Sequence, residues 1–371
     1  MRSVTLEVTT SIVSSRMRPI VESRPQPVEA APGQTPAALC SLPANRMTKE
    51  RLDHFMARAS AAYYATRDPF ADFTTAPEIS QVFGELLGLW AAVTWQSLGS
   101  PAPVSFVEAG PGRGTLMADA LRAIGRAAPA FGAAATVHLI ETSPRLRAEQ
   151  RQRIAAAVWH DSIDTVPETP MILLGNEFLD ALPIRQFVRR GSGWTERFVS
   201  PQGWIEEPSD YHPAIDAAEG GIFERREAAE TLAAGIAARV VRHRGAALFL
   251  DYGPERSQTG DSLQAIAGGR PADPLGPPSE ADLTAHVDFA AFGAAARAVG
   301  AQVWGPVAQG LFLARLGLFR RTNQLARHRQ PREAAAMMEG ARRLGEPDRM
   351  GRLFKAIALV SPDIEVLPGF E

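Results

Sequence analysis

Three glycines at two-residue spacing follow an acidic residue in the stretch Glu-Ala-Gly-Pro-Gly-Arg-Gly-Thr, from Glu108 to Thr115. The glycines are Gly110, Gly112 and Gly114. Glycine lets a backbone come close to a ligand. A phosphate-binding P-loop would continue as Gly-Lys-Ser/Thr, which is missing, and the dinucleotide pattern G-x-G-x-x-G would need a glycine where Thr115 stands. The spacing therefore favours a cofactor that carries no phosphate.

S-adenosylmethionine (SAM) fits such a loop, because it presents a sulfonium, an α-ammonium, a carboxylate and a ribose. Loop carbonyls can accept hydrogen bonds from the ammonium group. The helix predicted to begin at Thr115 can face the carboxylate, and Glu108 can support the loop amides or the cationic end. An NAD-type cofactor and a tight turn without a ligand are the alternatives.

Two further acidic residues follow predicted strands. Glu141 ends a second strand and can accept hydrogen bonds from both ribose hydroxyls. Asp161 follows a third strand and can reach the adenine amino group. Each could instead be a surface acid, but carboxylates at successive strand ends mark the edge where open α/β sheets bind ligands.

The elements that must position these residues alternate between strand and helix after Pro103. This order predicts an α/β fold with a parallel sheet covered by helices on both faces. Two insertions interrupt it, an antiparallel meander at about 186–240 and a loop-rich stretch at about 254–288. The core is expected to span 104–371, after a helical region at 47–103 in which Thr75 and Glu78 predict a capping box. Residues 1–46 look like a disordered tail or an upstream start codon.

Composition narrows the function classes. The 371 residues carry a net charge of -2, which does not indicate a dedicated nucleic-acid binder. The single cysteine excludes an intrachain disulfide, and the seven histidines show no pair at metal-ligand spacing, so we expect no metal. No stretch is apolar over the roughly 18 residues that span a bilayer, so no stable membrane insertion is expected.

Several motifs together resemble one family. In chain order they are YYATRDPFADFTTAPEISQVFGELLGLW, VEAGPGRGTLMADALRA, ETSPRLRAEQ, NEFLDALPIRQF, FLDYG, DPLGPPSEADLTAHVDF and QGLFLARLG. They are similar to the MidA family over residues 47–360. The resemblance implies a seven-stranded, Rossmann-like class I methyltransferase sheet, with an N-terminal helical region and inserted substrate-side elements. It also implies SAM as cofactor.

The resemblance further implies a substrate. The mitochondrial member of the family is understood as a complex I assembly factor that symmetrically dimethylates an arginine of a core subunit. Gly110, Gly112, Gly114 and Glu141 match the cofactor motifs of the family, and Asn176 and Glu177 match its motif after strand four. One departure concerns the loop before DFTT, where Ala71 alone joins Phe70 to Asp72, and this puts substrate gating in doubt.

An arginine acceptor stays protonated, so carboxylates must orient it and favour loss of a proton during methyl transfer. Glu177 and Asp180 are the candidates, Asn176 can bind cofactor or substrate, and His286 can relay a proton. The alternatives are an acid cluster at a helix N-terminus and a structural histidine. Two interpretations are open for Tyr63, Tyr64, Arg67 and Asp68: part of a substrate lid, or packing and a surface ion pair.

The sequence thus predicts a SAM-dependent protein arginine methyltransferase acting on a respiratory complex I subunit. We expect it in the cytoplasm of a bacterium, or in the mitochondrial matrix of a eukaryote. A non-catalytic assembly protein that keeps the fold is one alternative. An NAD-dependent oxidoreductase is another, which the absence of a Tyr-x-x-x-Lys set disfavours.

Overall fold

A computed structural model describes residues 49–67 and 74–371 of the chain. The predicted tail at 1–46, the shortened loop around Ala71 and the predicted lid residue Asp68 lie outside the described residues.

Strands and helices alternate over most of the described chain. The strands are β1 Glu50–Arg51, β2 Val104–Ala109, β3 Ala135–Ile140, β4 Val158–His160, β5 Met171–Asn176, β6 Arg185–Arg190, β7 Gly193–Ser200, β8 Gly203–Pro208, β9 Ile222–Arg225, β10 Gly245–Tyr252, β11 Gln264–Ala267, β12 Arg270–Ala272, β13 Asp282–Thr284, β14 Gln302–Ala308 and β15 Phe354–Val360. The helices are α1 Leu52–Thr66, α2 Ala76–Ile79, α3 Gln81–Ser97, α4 Thr115–Ala127, α5 Pro129–Ala134, α6 Pro144–Arg153, α7 Glu227–His243, α8 Phe289–Ala298, α9 Gln309–Leu316, α10 Leu318–Ala326, α11 Pro331–Gly345 and α12 Met350–Leu353.

The main sheet has seven strands in the order β14-β15-β10-β5-β2-β3-β4. This is the Rossmann-like methyltransferase sheet that the sequence predicts. The sheet is parallel except at one strand, since β15 runs antiparallel to both β10 and β14. The helices between β14 and β15 begin and end at the same edge of the sheet, so the last strand must run back.

Side chains that alternate along the central strands feed two apolar cores. On β10, Ala246, Leu248 and Leu250 face a core shared with α3 and α4. Ala247 and Phe249 face the opposite core, which is shared with α7 and α8. Burial on both faces explains why β2, β5 and β10 read as continuous apolar runs. The rigid sheet fixes where the carboxyl ends of these strands lie.

The first insertion forms a separate antiparallel sheet in the order β1-β7-β6-β9, with β8 beside β7. The antiparallel pairing is the one that the turn sequences predict. The predicted end of this insertion at residue 240 is too late, since α7 carries Leu232, Ile236 and Val240 into the core of the main sheet. The second insertion contains a small sheet in the order β12-β11-β13. Helix α1 packs against both insertions.

Candidate active site

A cavity of about 650 Å³ lies at the carboxyl ends of β2, β3, β5 and β10. Seven carboxylates line it: Glu78, Glu108, Glu141, Asp161, Glu177, Asp180 and Asp282. Among the described residues, Arg113 is the one cationic side chain in the lining. The excess of carboxylates makes this a site for cationic ligands.

The glycine loop forms one wall of the cavity. Gly110 and Gly112 have left-handed backbones, with φ of 67° and 54°, that other residues rarely adopt. A Cβ atom on Gly110 would lie 2.8 Å from the ring of Phe178. Gly114 then caps the N-terminus of α4, also with a positive φ of 78°. The backbone therefore leaves a concave surface that a bulkier residue would fill.

Glu108 lies at the end of β2 and is 2% exposed. It accepts a hydrogen bond from the backbone N–H of Met117. Its Oε2 atom is buried and has no partner among the described residues. Burial raises the pKa of Glu108 to about 8. A buried acceptor without a partner beside a backbone cradle fits the cationic end of SAM.

The Glu141 carboxylate is oriented by three hydrogen bonds from its neighbours. Its Oε1 accepts from the N–H groups of Thr142 at 2.8 Å and Ser143 at 2.7 Å. The amide of Gln150 donates to Oε2 at 3.2 Å and to the Gly112 carbonyl at 2.7 Å. Sequence reasoning missed Gln150, which ties the ribose carboxylate to the glycine loop. Its position on the inner face of α6, after Ser143 and Pro144, was the available signal.

Asp161 lies in the cavity lining beyond β4, but its side chain is mostly exposed. Its Oδ1 accepts from Arg147 at 2.6 Å. The structure therefore brings Asp161 to the rim of the same cavity as Glu141. A contact with adenine stays a prediction.

Glu177 follows the end of β5 with a left-handed φ of 50°, which is unusual for a glutamate and is found at strained functional positions. Its Oε1 accepts from the Ala76 N–H and from Asn176 Nδ2, both at 3.0 Å. The Oδ1 atom of Asn176 is buried without a partner among the described residues. Burial raises the pKa of Glu177 to about 7. Both side chains face the cavity as predicted from their position.

Asp251, at the end of β10, holds the segment that carries Asp180. Its Oδ2 accepts from the N–H groups of Phe178, Leu179 and Asp180 at 3.1, 2.8 and 3.2 Å. Asp180 is buried in the cavity wall, and burial raises its pKa. Sequence reasoning quoted the motif around Asp251 without giving this residue a role.

Asp282 and Tyr64 complete the part of the cavity next to Asp180. The Tyr64 hydroxyl donates to Asp282 Oδ2 at 3.3 Å. All three groups line the same cavity. Burial, and to a lesser extent the negative charges of Asp282 and Asp180, raises the pKa of Tyr64. Asp282 is 4% exposed and comes from β13 in the second insertion. Sequence reasoning missed it because its partners lie more than 100 residues away.

The buried guanidinium of Arg226 fixes the geometry of these two segments. It donates to the carbonyls of Asp180 at 2.9 Å and Ala285 at 2.7 Å, and also to those of Leu182 and His286. Arg226 thereby ties the loop after β5 to the residues after β13. The positions of Asp180 and Asp282 relative to each other follow from this connection.

The structure does not bring His286 to the cavity. Its N–H donates to Ser262 Oγ at 2.8 Å, and its ring packs edge-on against Tyr252 with centroids 5.6 Å apart. Tyr252, rather than His286, lies in the lining. The predicted proton relay is therefore not supported by the position of His286, because β13 ends at Thr284 and the His286 ring packs against Tyr252 outside the lining.

The N-terminal helices close the cavity on the side opposite the sheet. Ala76 contacts Glu177, and Thr115 Oγ1 donates to Glu78 Oε1 at 2.6 Å. The predicted capping box is wrong, since the Thr75 side chain makes no capping bond and Glu78 bonds across the cavity to the glycine loop. Of the predicted lid residues, Tyr64 lines the cavity, Tyr63 is buried beside it, and Arg67 donates to the Ser279 carbonyl at 3.3 Å.

Membrane-spanning helices and metal sites are two further features that the described residues can be checked for. Within residues 49–67 and 74–371, no helix is both long and apolar enough to cross a membrane. In the same part of the chain, no group of three or more His, Cys, Asp or Glu side chains is placed to hold a metal ion.

Comparisons with known proteins agree with the geometry of the site. Residues 86–307 match a family described as "Putative S-adenosyl-L-methionine-dependent methyltransferase". The chain is 32% identical over 354 residues to "Protein arginine methyltransferase NDUFAF7 homolog, mitochondrial" of Drosophila melanogaster, covering 84% of this chain and 80% of that protein. It is 33% identical to the mouse protein named "Protein arginine methyltransferase NDUFAF7, mitochondrial", with 84% and 80% covered.

A solved structure shows the same fold with a cofactor product bound. It is described as a COG1565 superfamily member and likely methyl transferase from Burkholderia thailandensis bound to S-adenosyl-homocysteine. Its TM-score to this chain is 0.71 at 28% identity, with 86% of this chain and 90% of that chain covered. With the family match over more than half of its length and these relatives, the chain belongs to this family of S-adenosyl-L-methionine-dependent methyltransferases.

Proposed function

We propose that this methyltransferase acts on the guanidinium group of a protein arginine. One observation carries the proposal: the cavity has a second set of carboxylates beyond those beside the glycine loop. Glu177 and Asp180 come from the loop after β5 and Asp282 comes from β13 in the second insertion, and all three line the cavity. A protonated guanidinium presents five N–H donors in a planar fork, which several carboxylates can satisfy at once.

Glu108, Glu141 and the loop of Gly110 to Gly114 are the residues that would hold SAM. When bound, SAM supplies an electrophilic methyl group on sulfur. The ω-nitrogen of the arginine would accept this methyl group as S-adenosylhomocysteine is released, and that nitrogen would lose a proton to a residue of the cavity. Asp161 is assigned to the adenine end on the basis of its place after β4.

The residues of the chain then have to orient the acceptor and take up its proton. Glu177 suits both tasks, because one of its oxygens is held by Ala76 and Asn176 while its pKa of about 7 lies near neutral pH. Asp180 and Asp282 keep the guanidinium charged and aligned until the methyl group arrives. Asn176 Oδ1, which is buried without a partner among the described residues, is placed to accept a further N–H.

The protein partner in this proposal is a subunit of respiratory complex I, and the product is symmetric dimethylarginine. This finer assignment is supported by the MidA resemblance and by the words "protein arginine methyltransferase" in the names of the curated relatives. On the same grounds, we place the reaction in the bacterial cytoplasm, or in the mitochondrial matrix if the source is a eukaryote.

The test uses complex I from a strain that lacks this protein. The complex is incubated with the purified full chain and isotope-labelled SAM, and the subunits are then analysed by mass spectrometry. We expect label on an arginine of one subunit, and no label with the Glu177→Gln variant. Label on lysine, or no label although SAM binds, would contradict the proposal.

A further inference from the structure

The helices between β14 and β15 lie at the same edge of the main sheet as the cavity. The chain leaves the sheet after Ala308, which pairs with Lys355 on β15. It returns at Phe354, which pairs with Tyr252 at the carboxyl end of β10. Helix α11 packs directly on α2, since a Cβ atom on Gly340 would lie 3.0 Å from the Ile79 carbonyl. Helix α2 in turn lines the cavity.

This segment is the most basic part of the chain. From Gln309 to Leu353 there are ten arginines and four acidic residues, whereas the chain as a whole has a net charge of -2. The remainder of the chain is therefore net negative, and the cavity contributes seven carboxylates and one arginine. A strongly basic surface thus stands beside a strongly acidic cavity.

Six of these ten arginines have no ion-pair partner among the described residues. Arg321, Arg329, Arg342 and Arg349 pair with carboxylates, and Arg315 donates to the Gly369 carbonyl. The other five are exposed and take part in no ion pair in the described part of the chain: Arg320, Arg327, Arg332, Arg343 and Arg352. We call these five residues the basic surface. An isolated charged helix usually neutralises more of its own charges.

One of these arginines connects the surface to the reaction site. Arg343 lies three residues after Gly340 on α11, the helix that packs on the cavity-lining helix α2. Burial raises the pKa of Glu177, and the positive charge of Arg343 partly opposes this shift. Arg320 lies at the same end of the α10–α11 pair, because Gly345 packs against Leu318 and Phe319. The basic surface therefore begins at the rim of the cavity and continues outward along α10 and α11.

From this arrangement we infer that the basic surface docks an acidic segment of the protein substrate, while the target arginine of that segment enters the cavity. The inference rests on the proposed function. The two charge patterns favour the same partner. The cavity attracts the arginine and repels carboxylates, whereas the basic surface attracts carboxylates. Carboxylates that flank the target arginine are held outside, where the five arginines lie. A polynucleotide would be attracted by the surface but repelled by the cavity beside it.

The test compares two fluorescent peptides with the full chain in the presence of S-adenosylhomocysteine. Both contain one arginine, which is flanked by aspartates in the first peptide and by asparagines in the second. Anisotropy is expected to show about tenfold tighter binding of the acidic peptide at low salt. The advantage should shrink as salt rises from about 0.05 M to about 0.3 M, because exposed charges are screened.

Substitutions then locate the effect. The triple variant Arg320→Gln, Arg327→Gln, Arg332→Gln should lose the preference for the acidic peptide and keep the affinity for S-adenosylhomocysteine. It leaves Arg343 in place, since that charge also acts on Glu177. The matched control replaces Arg126, Arg242 and Arg297 by glutamine; each is exposed in the last turn of a helix at the opposite edge of the sheet. The control should keep the preference.

Separate outcomes test the docking and the proposed function. Equal binding of both peptides to the wild type, or a preference that the triple variant retains, would overturn the docking inference. Binding of the triple variant to anionic phospholipid vesicles and to single-stranded RNA is measured in parallel. If the triple variant binds only these probes more weakly than the wild type does, the docking inference is also overturned. If the acidic peptide binds as expected but SAM methylates neither peptide, the arginine assignment fails while the docking surface stands.

Discussion

The two halves of the cavity are built in different ways. The cofactor half uses residues that directly follow β2 and β3, and it is linked within itself by Gln150, which bonds to both Gly112 and Glu141. The substrate half collects Tyr64, Glu177 and Asp282 from the N-terminal helix, the loop after β5 and the second insertion. Local sequence thus specifies the first half, whereas in the second half tertiary packing brings Tyr64 and Asp282 to Glu177.

The difference has a functional meaning. A backbone cradle with fixed carboxylates can bind the same cofactor in any member of a fold family. A set of carboxylates carried on insertions can change with the substrate while the sheet stays the same. If this division is correct, substitutions in the two halves should separate cofactor binding from methyl transfer.

The largest separation is expected from Glu177→Gln. The amide keeps the shape but cannot take up the proton of the acceptor, so the rate of methyl transfer should fall by about 1000-fold. The affinity for SAM in calorimetry should not change. Glu168→Gln, on the exposed surface, serves as the control. Transfer at the wild-type rate would remove Glu177 from the mechanism.

In the cofactor half, Gly112→Val should weaken SAM binding by at least about 100-fold, because a β-branched residue is strained at a positive φ and fills the cradle. The matched control is Gly191→Val in the hairpin between β6 and β7. Gly191 has the same φ of 54° and no atom within 4 Å of an added Cβ. Both variants carry the same backbone strain, so equal SAM affinities would show that the loop does not bind the cofactor.

The pH dependence of transfer should report the substrate half. Burial raises the pKa of Glu177 to about 7, and the ionised form is the one that orients the acceptor and accepts a proton. At constant saturating SAM, kcat/KM should therefore fall about tenfold per pH unit below about pH 7 and level off above it. The Glu177→Gln variant should lose this inflection. An inflection that persists in the variant would belong to another group.

Asp282→Asn is expected to raise KM for an arginine peptide by about tenfold, since one charge-assisted hydrogen bond becomes neutral. The affinity for SAM should stay the same. The Tyr64→Phe variant removes the partner of Asp282 but leaves the carboxylate, so it should raise KM less. An unchanged KM in Asp282→Asn would show that Asp282 does not bind the substrate, and Glu177 and Asp180 would remain as the substrate carboxylates.

Glu108→Gln is expected to show its effect in the pH dependence of stability, which is measured without cofactor. Burial raises the pKa of Glu108 from 4.5 to about 8, so the folded state binds a proton that the unfolded state releases in this range. The free energy of unfolding should fall as pH rises through that window, by on the order of a few kcal/mol. Urea titrations of the variant should show a weaker decline. If the free energy of unfolding falls equally with pH in the variant and in the wild type, the pH dependence comes from other carboxylates.

How far the sequence predicts this molecule follows from the same comparison. The glycine spacing, Glu141 and the position of Glu177 can all be placed at strand ends because each lies next to an apolar run. Asp282 and Arg226 cannot, since their partners are distant in the chain. The errors have physical causes: His286 lies beside an inward-facing Thr284 and points away, and Glu78 bonds to Thr115 instead of capping its own helix.

The measurement that tests the central claim most directly is transfer of a labelled methyl group from SAM to two matched peptides. They differ only in an arginine or a lysine at one position, and binding of SAM is verified first by calorimetry. The account predicts label on the arginine peptide alone, and loss of that label in both Glu177→Gln and Asp282→Asn under subsaturating peptide. Equal label on the lysine peptide, or label that survives both substitutions, would contradict it.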